Sequence, residues 1–335
     1  MGHATEVPRM LVFCLCLAAT PSAVAAVPPG ASRPGQAPLP EARPVPRMQV
    51  IPLPEHQAAI LRDGRELTRY HFGPALRRPF LYPVVGPSGR SLTRMGHPRD
   101  PEGHSHHNSV WVAHNDVGGE SFWDDRGPGR IVHRRILRYA DGDDEAAIVA
   151  ENDWVGRGER VLLRERRGIA FRPRPEGQWL LILDLHLEAA QGPVTLGATP
   201  FGPLGVRMAK TIGVADGGGR IRNSEGNRNE TGPDGAFRKR ARWVDYSGPI
   251  TPDAAEGISL LDHPSNPNHP APFHVRADGW MGASPTLTGP ITIAPGRPLR
   301  LRYGLFVHAG VPTPEAIDGL WAEFAGTKLE DLPAK

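Results

Sequence analysis

Gln178-Trp179-Leu180-Leu181-Ile182-Leu183-Asp184-Leu185-His186-Leu187-Glu188-Ala189-Ala190 is the run that decides the fold class. Trp179, Leu181, Leu183, Leu185 and Leu187 occupy every second position, while Asp184, His186 and Glu188 share the alternate set with Leu180 and Ile182. Successive side chains of an extended chain point to opposite faces, so a period of two marks a strand with one dry face and one partly polar face. The same alternation recurs at 130–139, 145–154, 160–171, 257–263 and 299–308. Turn signals separate these runs: Asp63-Gly64, Gly86-Pro87-Ser88-Gly89, Asp141-Gly142, Glu176-Gly177, Gln191-Gly192-Pro193, Gly217-Gly218-Gly219 and Pro295-Gly296. Long strands at hairpin spacing predict an all-β fold, a large antiparallel β-sandwich. One helix is expected near the end, capped by Thr313, with Pro314 in its first turn and Ile317, Leu320, Trp321 and Phe324 on one apolar face against a sheet. No internal repeat of roughly 20 to 50 residues recurs, which disfavours a propeller or solenoid.

The 335-residue chain opens with Met10-Leu11-Val12-Phe13-Cys14-Leu15-Cys16-Leu17-Ala18-Ala19, behind Arg9 and ahead of Ala23-Val24-Ala25-Ala26. That block is too short to span a bilayer and reads as a secretory signal peptide over 1–26. Neither cysteine follows the Leu-small-small pattern that lipidation needs. Both cysteines, Cys14 and Cys16, leave with the leader, and with them any disulfide, thiolate nucleophile or cysteine-held metal. Residues 27–46 hold Pro28, Pro29, Pro34, Pro38, Pro40, Pro44 and Pro46 and are expected to be an extended tether. The sandwich domain then occupies 47–335, with no later run near the roughly 20 apolar residues of a membrane helix. An exported protein, secreted or periplasmic, is the expectation. Thirty-nine basic residues against 36 acidic leave a net charge of +3 with no basic run long enough to suggest nucleic acid.

Five histidines lie close together: His97, His104, His106, His107 and His114. Imidazole can give and take a proton near neutral pH and is also the commonest metal ligand. In an extended loop His104 and His106 would face one side and His107 the other. Proton transfer, substrate binding or a divalent-metal site completed by His114, Asp116 or His263 are all open at this point, beside the plain alternative of solvated histidines in a turn. Trp111 and Trp123 follow, with Asn115, Asp116 and Asp124 among them. Indoles stack on sugar rings while His, Asn and Asp bond hydroxyls, the mixture a polyol asks for, although each tryptophan taken singly suits core packing.

Two further centres carry polar chemistry. Asn223-Ser224-Glu225-Gly226-Asn227 offers Glu225 as a general base or hydroxyl acceptor, with Arg238-Lys239-Arg240-Ala241-Arg242-Trp243-Val244-Asp245-Tyr246 beyond it. There Trp243 and Tyr246 keep a binding role open, and Arg207, Lys210 and Arg240 are candidates to bind an acidic group or stabilise an enolate. Asp262-His263-Pro264-Ser265-Asn266-Pro267 would project from a strand end into a Pro-stiffened loop, suited either to acid–base work or to a rigid turn. No glycine motif has a nucleotide-binding setting and no Gly-x-Ser-x-Gly elbow is present, so dehydrogenase, kinase and serine-hydrolase readings lose support.

In order along about 80–308, Leu81-Tyr82-Pro83, the 100–107 loop, Trp111-Val112-Ala113-His114-Asn115-Asp116, Phe122-Trp123, Asn152-Asp153-Trp154, Asn223-Ser224-Glu225-Gly226, Ala241 to Tyr246 and Asp262 to Pro267 resemble the bacterial domain-of-unknown-function family labelled "methane oxygenase PmoA". The family usually reads His-Pro-His-His-Arg where this chain has His104-Ser105-His106-His107-Asn108, so a charge at 108 is missing. The label implies membrane-bound methane oxidation, against which stands the lack of any spanning run after the leader; it is taken here as a misnomer. The family is more distantly similar to the sugar-binding supersandwich of galactose mutarotase-like proteins, a fold-level analogy. The expectation is therefore a carbohydrate-active protein that hydrolyses, eliminates or epimerises a sugar derivative without an organic cofactor. His104, His106, His107, Glu225, Asp262 and His263 are its candidates for proton transfer. Trp111, His114, Asp116, Trp123, Arg207, Lys210, Asn223, Arg240, Trp243 and Tyr246 are the candidates for substrate binding. The competing expectations are a non-catalytic carbohydrate-binding module and a metal-dependent enzyme built on the 104–107 loop. The catalytic expectation requires the three polar centres to meet in one hollow, and the sequence assigns no oligomeric state.

Overall fold

Alternation along Trp179–Ala189 is resolved by two different partners in the computed structural model of the protein. Trp179, Leu181, Leu183, Leu185 and Leu187 enter the main core, while Leu180 and Ile182 on the opposite face pack with Trp243, Leu261, Ile317 and Phe324. The described residues are 1–2, 44–97, 99–100 and 102–327. The expected leader, apart from its first two residues, and the expected tether as far as 43 lie outside them. From Val45 onward the chain forms one unit.

Two large antiparallel sheets make that unit a β-sandwich. The first runs Met48–Leu53, Gln57–Arg62, Arg65–His71, Phe80–Val84, Val110–Val112, Leu204–Arg207, Trp280–Ala283, Pro272–Arg276 and Lys239–Arg240 in spatial order. The second runs Arg220–Asn223, Trp243–Thr251, Ala254–Asp262, Leu299–Ala309, Trp179–Ala189, Val161–Pro173, Ala146–Val155 and Arg130–Ala140. Every strand predicted from alternation is present, each within three residues of its expected ends. Inner faces of both sheets contribute to one continuous apolar core, from Ile60, Val84 and Val206 on one side to Ile148, Leu183 and Leu305 on the other. A small ribbon, Val194–Leu196 with Ile291–Ile293, stands apart from the two.

The helix Pro314–Ala325 starts where its cap was expected: the Thr313 hydroxyl accepts from the Ala316 amide at 3.3 Å. It closes the outer face of the second sheet. Ile317 and Phe324 are buried, the Trp243 indole donates to Asp318 at 2.7 Å and the Trp321 indole donates to the Asp262 carbonyl at 2.9 Å.

Two buried charged groups sit in the second sheet. Glu165 and Arg167, both on the inner face, form an ion pair at 2% residual exposure or less. Glu165 also accepts from the Trp154 indole at 2.6 Å and the Asn152 amide at 3.2 Å. Asp245, on the outer face, accepts from His308 at 2.8 Å, Ser259 at 2.8 Å and Ser247 at 2.5 Å. Burial opposes the Asp245 charge, but His308 and the two hydroxyls outweigh it and hold the carboxyl below its ordinary value.

Breaking the first pair leaves a lone carboxylate in the core. Arg167→Met is expected to lower the unfolding free energy by about 3–5 kcal/mol, and adding Glu165→Gln to recover part of the loss, as read from urea denaturation. For Asp245 the folded pKa lies below the unfolded one, so its contribution is complete above about pH 4 and is lost as pH falls through the folded value. Asp245→Asn is expected to be less stable than the parent at pH 7, with the gap shrinking toward pH 3 in parallel denaturation curves.

Candidate functional site

The short strand Val110–Val112 sends Val110 and Val112 into the core and Trp111 out to the other face of the first sheet. Register then builds a row across that outer face: Phe80 pairs with Trp111, Trp111 with Gly205, Gly205 with Gly282 and Gly282 with His274. In the next row Trp280 stands between Arg207 and Arg276. The glycines are a requirement of this floor. A Cβ on Gly205 would meet the Trp111 ring at 2.6 Å, and one on Gly282 would meet the Trp280 ring at 3.1 Å. Two indoles can lie on the sheet only because nothing projects beneath them.

Loops supply the walls. Trp123 lies 5.2 Å from Trp111 and 6.0 Å from Trp280, centroid to centroid, and Phe201 lies 5.8 Å from Trp123. The 97–107 loop sets its imidazoles against them. His107 stacks on Trp111 at 5.3 Å, His106 lies 6.0 Å from Trp123, and His104 is 4.8 Å from His107 and 5.2 Å from His97. His274 completes the group, edge-on to Trp280 at 4.3 Å. Three indoles and five imidazoles are thus gathered outside the main core.

Most of these imidazoles are neutral at pH 7. Burial, followed by the charge of Arg78, pushes His106 down to about 4. Burial and then Arg238 push His274 down to about 3, and His107 is depressed further, by burial and then by His106. A neutral imidazole keeps one donor and one acceptor nitrogen, suited to hydroxyl groups. His104 is placed differently. It is 37% exposed, and its Nδ1 donates to the Asp100 carboxylate at 2.7 Å, with the other carboxylate oxygen taking the Gly103 amide at 2.6 Å. A ring held through Nδ1 leaves Nε2 as the working nitrogen.

Arg78, 1% exposed, ties the walls together. It pairs with Asp125 at 2.9 Å, donates to the Trp123 carbonyl at 3.0 Å and donates to Asn108 at 2.7 Å. On the other side Arg207, wholly buried, pairs with Asp278 at 3.0 Å, and His97 lies 3.6 Å from the same carboxylate.

The remaining candidates lie elsewhere. Glu225 is exposed on a turn at the edge of the second sheet, where it accepts from Ser224 at 2.8 Å, and the Asn223 side chain closes that turn by accepting the Glu225 and Asn227 amides. Asp262 is fully buried and its oxygens take Asn266 at 2.7 Å, His269 at 2.7 Å and the Ala271 amide at 2.9 Å, which fastens the Pro-rich turn. His263 accepts the Ser265 amide at 3.1 Å and packs on Phe324 of the helix. No contact among the described residues joins these groups to the histidine loop, so the expected convergence of three centres reduces to one. The 262–274 segment does reach the aromatic cluster, through His274 at its far end.

His114 is bound to Thr286 at 2.9 Å and accepts the Asp116 amide at 3.1 Å, while Asp116 accepts the Gly119 amide at 2.9 Å. Both serve the turn after Val110–Val112. Trp243 lies beneath the helix, and the Tyr246 hydroxyl donates to backbone carbonyls of Arg276 and Ala277 at 3.1 Å. Lys210 is exposed beside a separate cavity with Thr211 and Asp216, and Arg240 braces the Pro-rich turn through the Asn268 and Pro270 carbonyls. Among the described residues no three His, Cys, Asp or Glu side chains are grouped to hold a metal ion.

Sequence reasoning passed over Asp100, Arg78, Phe201, Asp278 and Trp280. Asp100 stands four residues before His104, and Trp280 alternates with the core residue Met281 ahead of Gly282, so both left a readable trace.

No curated protein matches the chain. Among solved structures, a GalM/aldose epimerase homologue from C. elegans is similar at a TM-score of 0.35 and 12% identity, over 78% of this chain and 99% of that one. A TPR-domain containing protein from Parabacteroides distasonis is similar at a TM-score of 0.34 and 8% identity, over 84% of this chain and 48% of that one. Residues 57–322, which take in the second sheet, all but the first strand of the first sheet and the aromatic cluster between Phe80 and Trp280, match the model of DUF6807, a family of unknown function, and the chain belongs to that family.

Proposed function

We propose that the cluster of indoles and imidazoles on the outer face of the first sheet forms a hollow that binds a sugar ring and that His104, oriented by Asp100, moves a proton at that ring. The observation that carries this reading is the gathering of three indoles and five imidazoles over a glycine floor. Flat indole faces suit the apolar face of a pyranose, and desolvated neutral imidazoles suit its hydroxyls. His104 has a carboxylate fixing one nitrogen and enough exposure to reach a ligand with the other, the arrangement of a general acid or base. His106, with its ring centre 5.9 Å away, is placed to serve as the second proton-transfer group. Hydrolysis, elimination and epimerisation all need such a pair. Glu225, Asp262 and His263 take no part; they hold turns. The methane-oxygenase label stays a name attached to the sequence motifs. Export belongs to the same proposal and is supported by the 1–26 leader reading alone.

A panel of neutral, keto and acidic monosaccharides, followed by tryptophan fluorescence and by proton NMR for turnover, tests it. At least one sugar is expected to change the emission of the three indoles. Trp280→Ala should weaken that sugar by about tenfold, the scale of one aromatic contact. His104→Gln should keep the affinity and lower turnover by about 10²- to 10⁴-fold. A panel in which no sugar binds, or a His104→Gln protein with full turnover, would refute the assignment.

A further inference from the structure

Beside the hollow two guanidinium groups converge on Asp278: Arg207, fully buried on the same sheet face as Trp280, meets its carboxylate, and the half-buried Arg94 meets its main-chain carbonyl. The Arg94 amide donates to the Arg207 carbonyl at 3.0 Å, which sets the two residues side by side. Arg207 spends one nitrogen on Asp278 at 3.0 Å, and its Nε and Nη2 are buried with no hydrogen-bond partner. Arg94 donates to the Met208 carbonyl at 3.1 Å and the Asp278 carbonyl at 3.0 Å, and its Nη1 is likewise buried and unmet. Asp216, the nearby second carboxylate, is already paired with the exposed Arg99.

Buried charge left without partners is costly, and two neighbouring cations raise that cost. Burial, then the charge of Arg207, pushes Arg94 down to about 10. The group is therefore short of one negative charge and has three nitrogens whose N–H groups lack an acceptor. Its field reaches the histidine loop, because Arg207 depresses His97 after burial, and His107 after burial and His106.

We propose that Arg207 and Arg94 form an anion subsite of the hollow and that the sugar bound there carries a carboxylate, as in a uronic acid. This rests on the carbohydrate reading above and narrows its substrate class. A planar carboxylate meets paired guanidinium N–H groups with two oxygens and brings the single charge that Asp278 leaves unbalanced. A phosphate monoester would bring nearly two.

Titration calorimetry of the full chain with glucuronate and galacturonate, against glucose and galactose, is the test, with inorganic phosphate as a further arm. The uronate is expected to bind about 10- to 100-fold more tightly than its neutral counterpart, the range of charge-assisted hydrogen bonds. Arg207→Met should erase that preference, so that uronate and neutral sugar bind alike. Asp278→Asn, at a half-exposed position, should widen it, and this variant decides the matter if Arg207→Met does not fold. Equal binding of uronate and neutral sugar overturns the subsite and leaves the sugar reading standing, whereas binding of neither overturns both. Phosphate displacing uronate at equal concentration, with the displacement lost in Arg207→Met, overturns the carboxylate.

Discussion

Face-to-face burial of two antiparallel sheets determines what every other residue can be. Once Leu183 and its alternates are committed to the interior, strict alternation sends their neighbours to the opposite side. The sandwich thereby acquires two outer faces. One is closed by the C-terminal helix over Leu180, Ile182, Trp243 and Leu261. On the other, a second aromatic cluster of Phe80, Trp111, Trp123 and Trp280 lies beneath histidine-bearing loops. Apolar side chains on a face with no helix over it are what first distinguish this region from ordinary core, and the imidazoles over them give it chemistry.

Much of the fold was legible because it rests on period and punctuation. The run at 178–190, the five other strands and the capped helix needed only alternation, turn residues and a threonine before a proline. The site was legible in part. Clustering of histidines pointed to the loop that lies over the aromatic cluster, and Trp111 and Trp123 are two of the three indoles gathered there. What could not be read was which polar residues are already occupied. Asp262 looks like half of a catalytic pair until its bonds to Asn266, His269 and Ala271 are seen, all made within nine residues of it. Glu225 has the composition of a polar active-site loop around it, yet Asn223 uses that loop to close a turn. Contacts across long separations were beyond reach, since Arg78 meets Asn108 and Trp123, and Arg207 meets Asp278, only through strand order.

Electrostatics separates the five imidazoles into roles that their sequence spacing conceals. His106, His107 and His274 are buried and neutral, which equips them to exchange hydrogen bonds without charge. Among the described residues of the loop, His104 is the histidine hydrogen-bonded to a carboxylate within it, Asp100. His97 instead looks across to Asp278 and the paired arginines. One short loop thus touches both the indoles of the outer face and a charged corner.

The helix that closes the second sheet is also the last described element in the chain, and this order matters while the protein is being made. Leu180 and Ile182 leave the ribosome well over a hundred residues before Ile317 and Phe324 can reach them. Until that moment Trp243 and Leu261 extend the same greasy strip, and the growing polypeptide must pass through synthesis with an adhesive surface that only the later helix will hide.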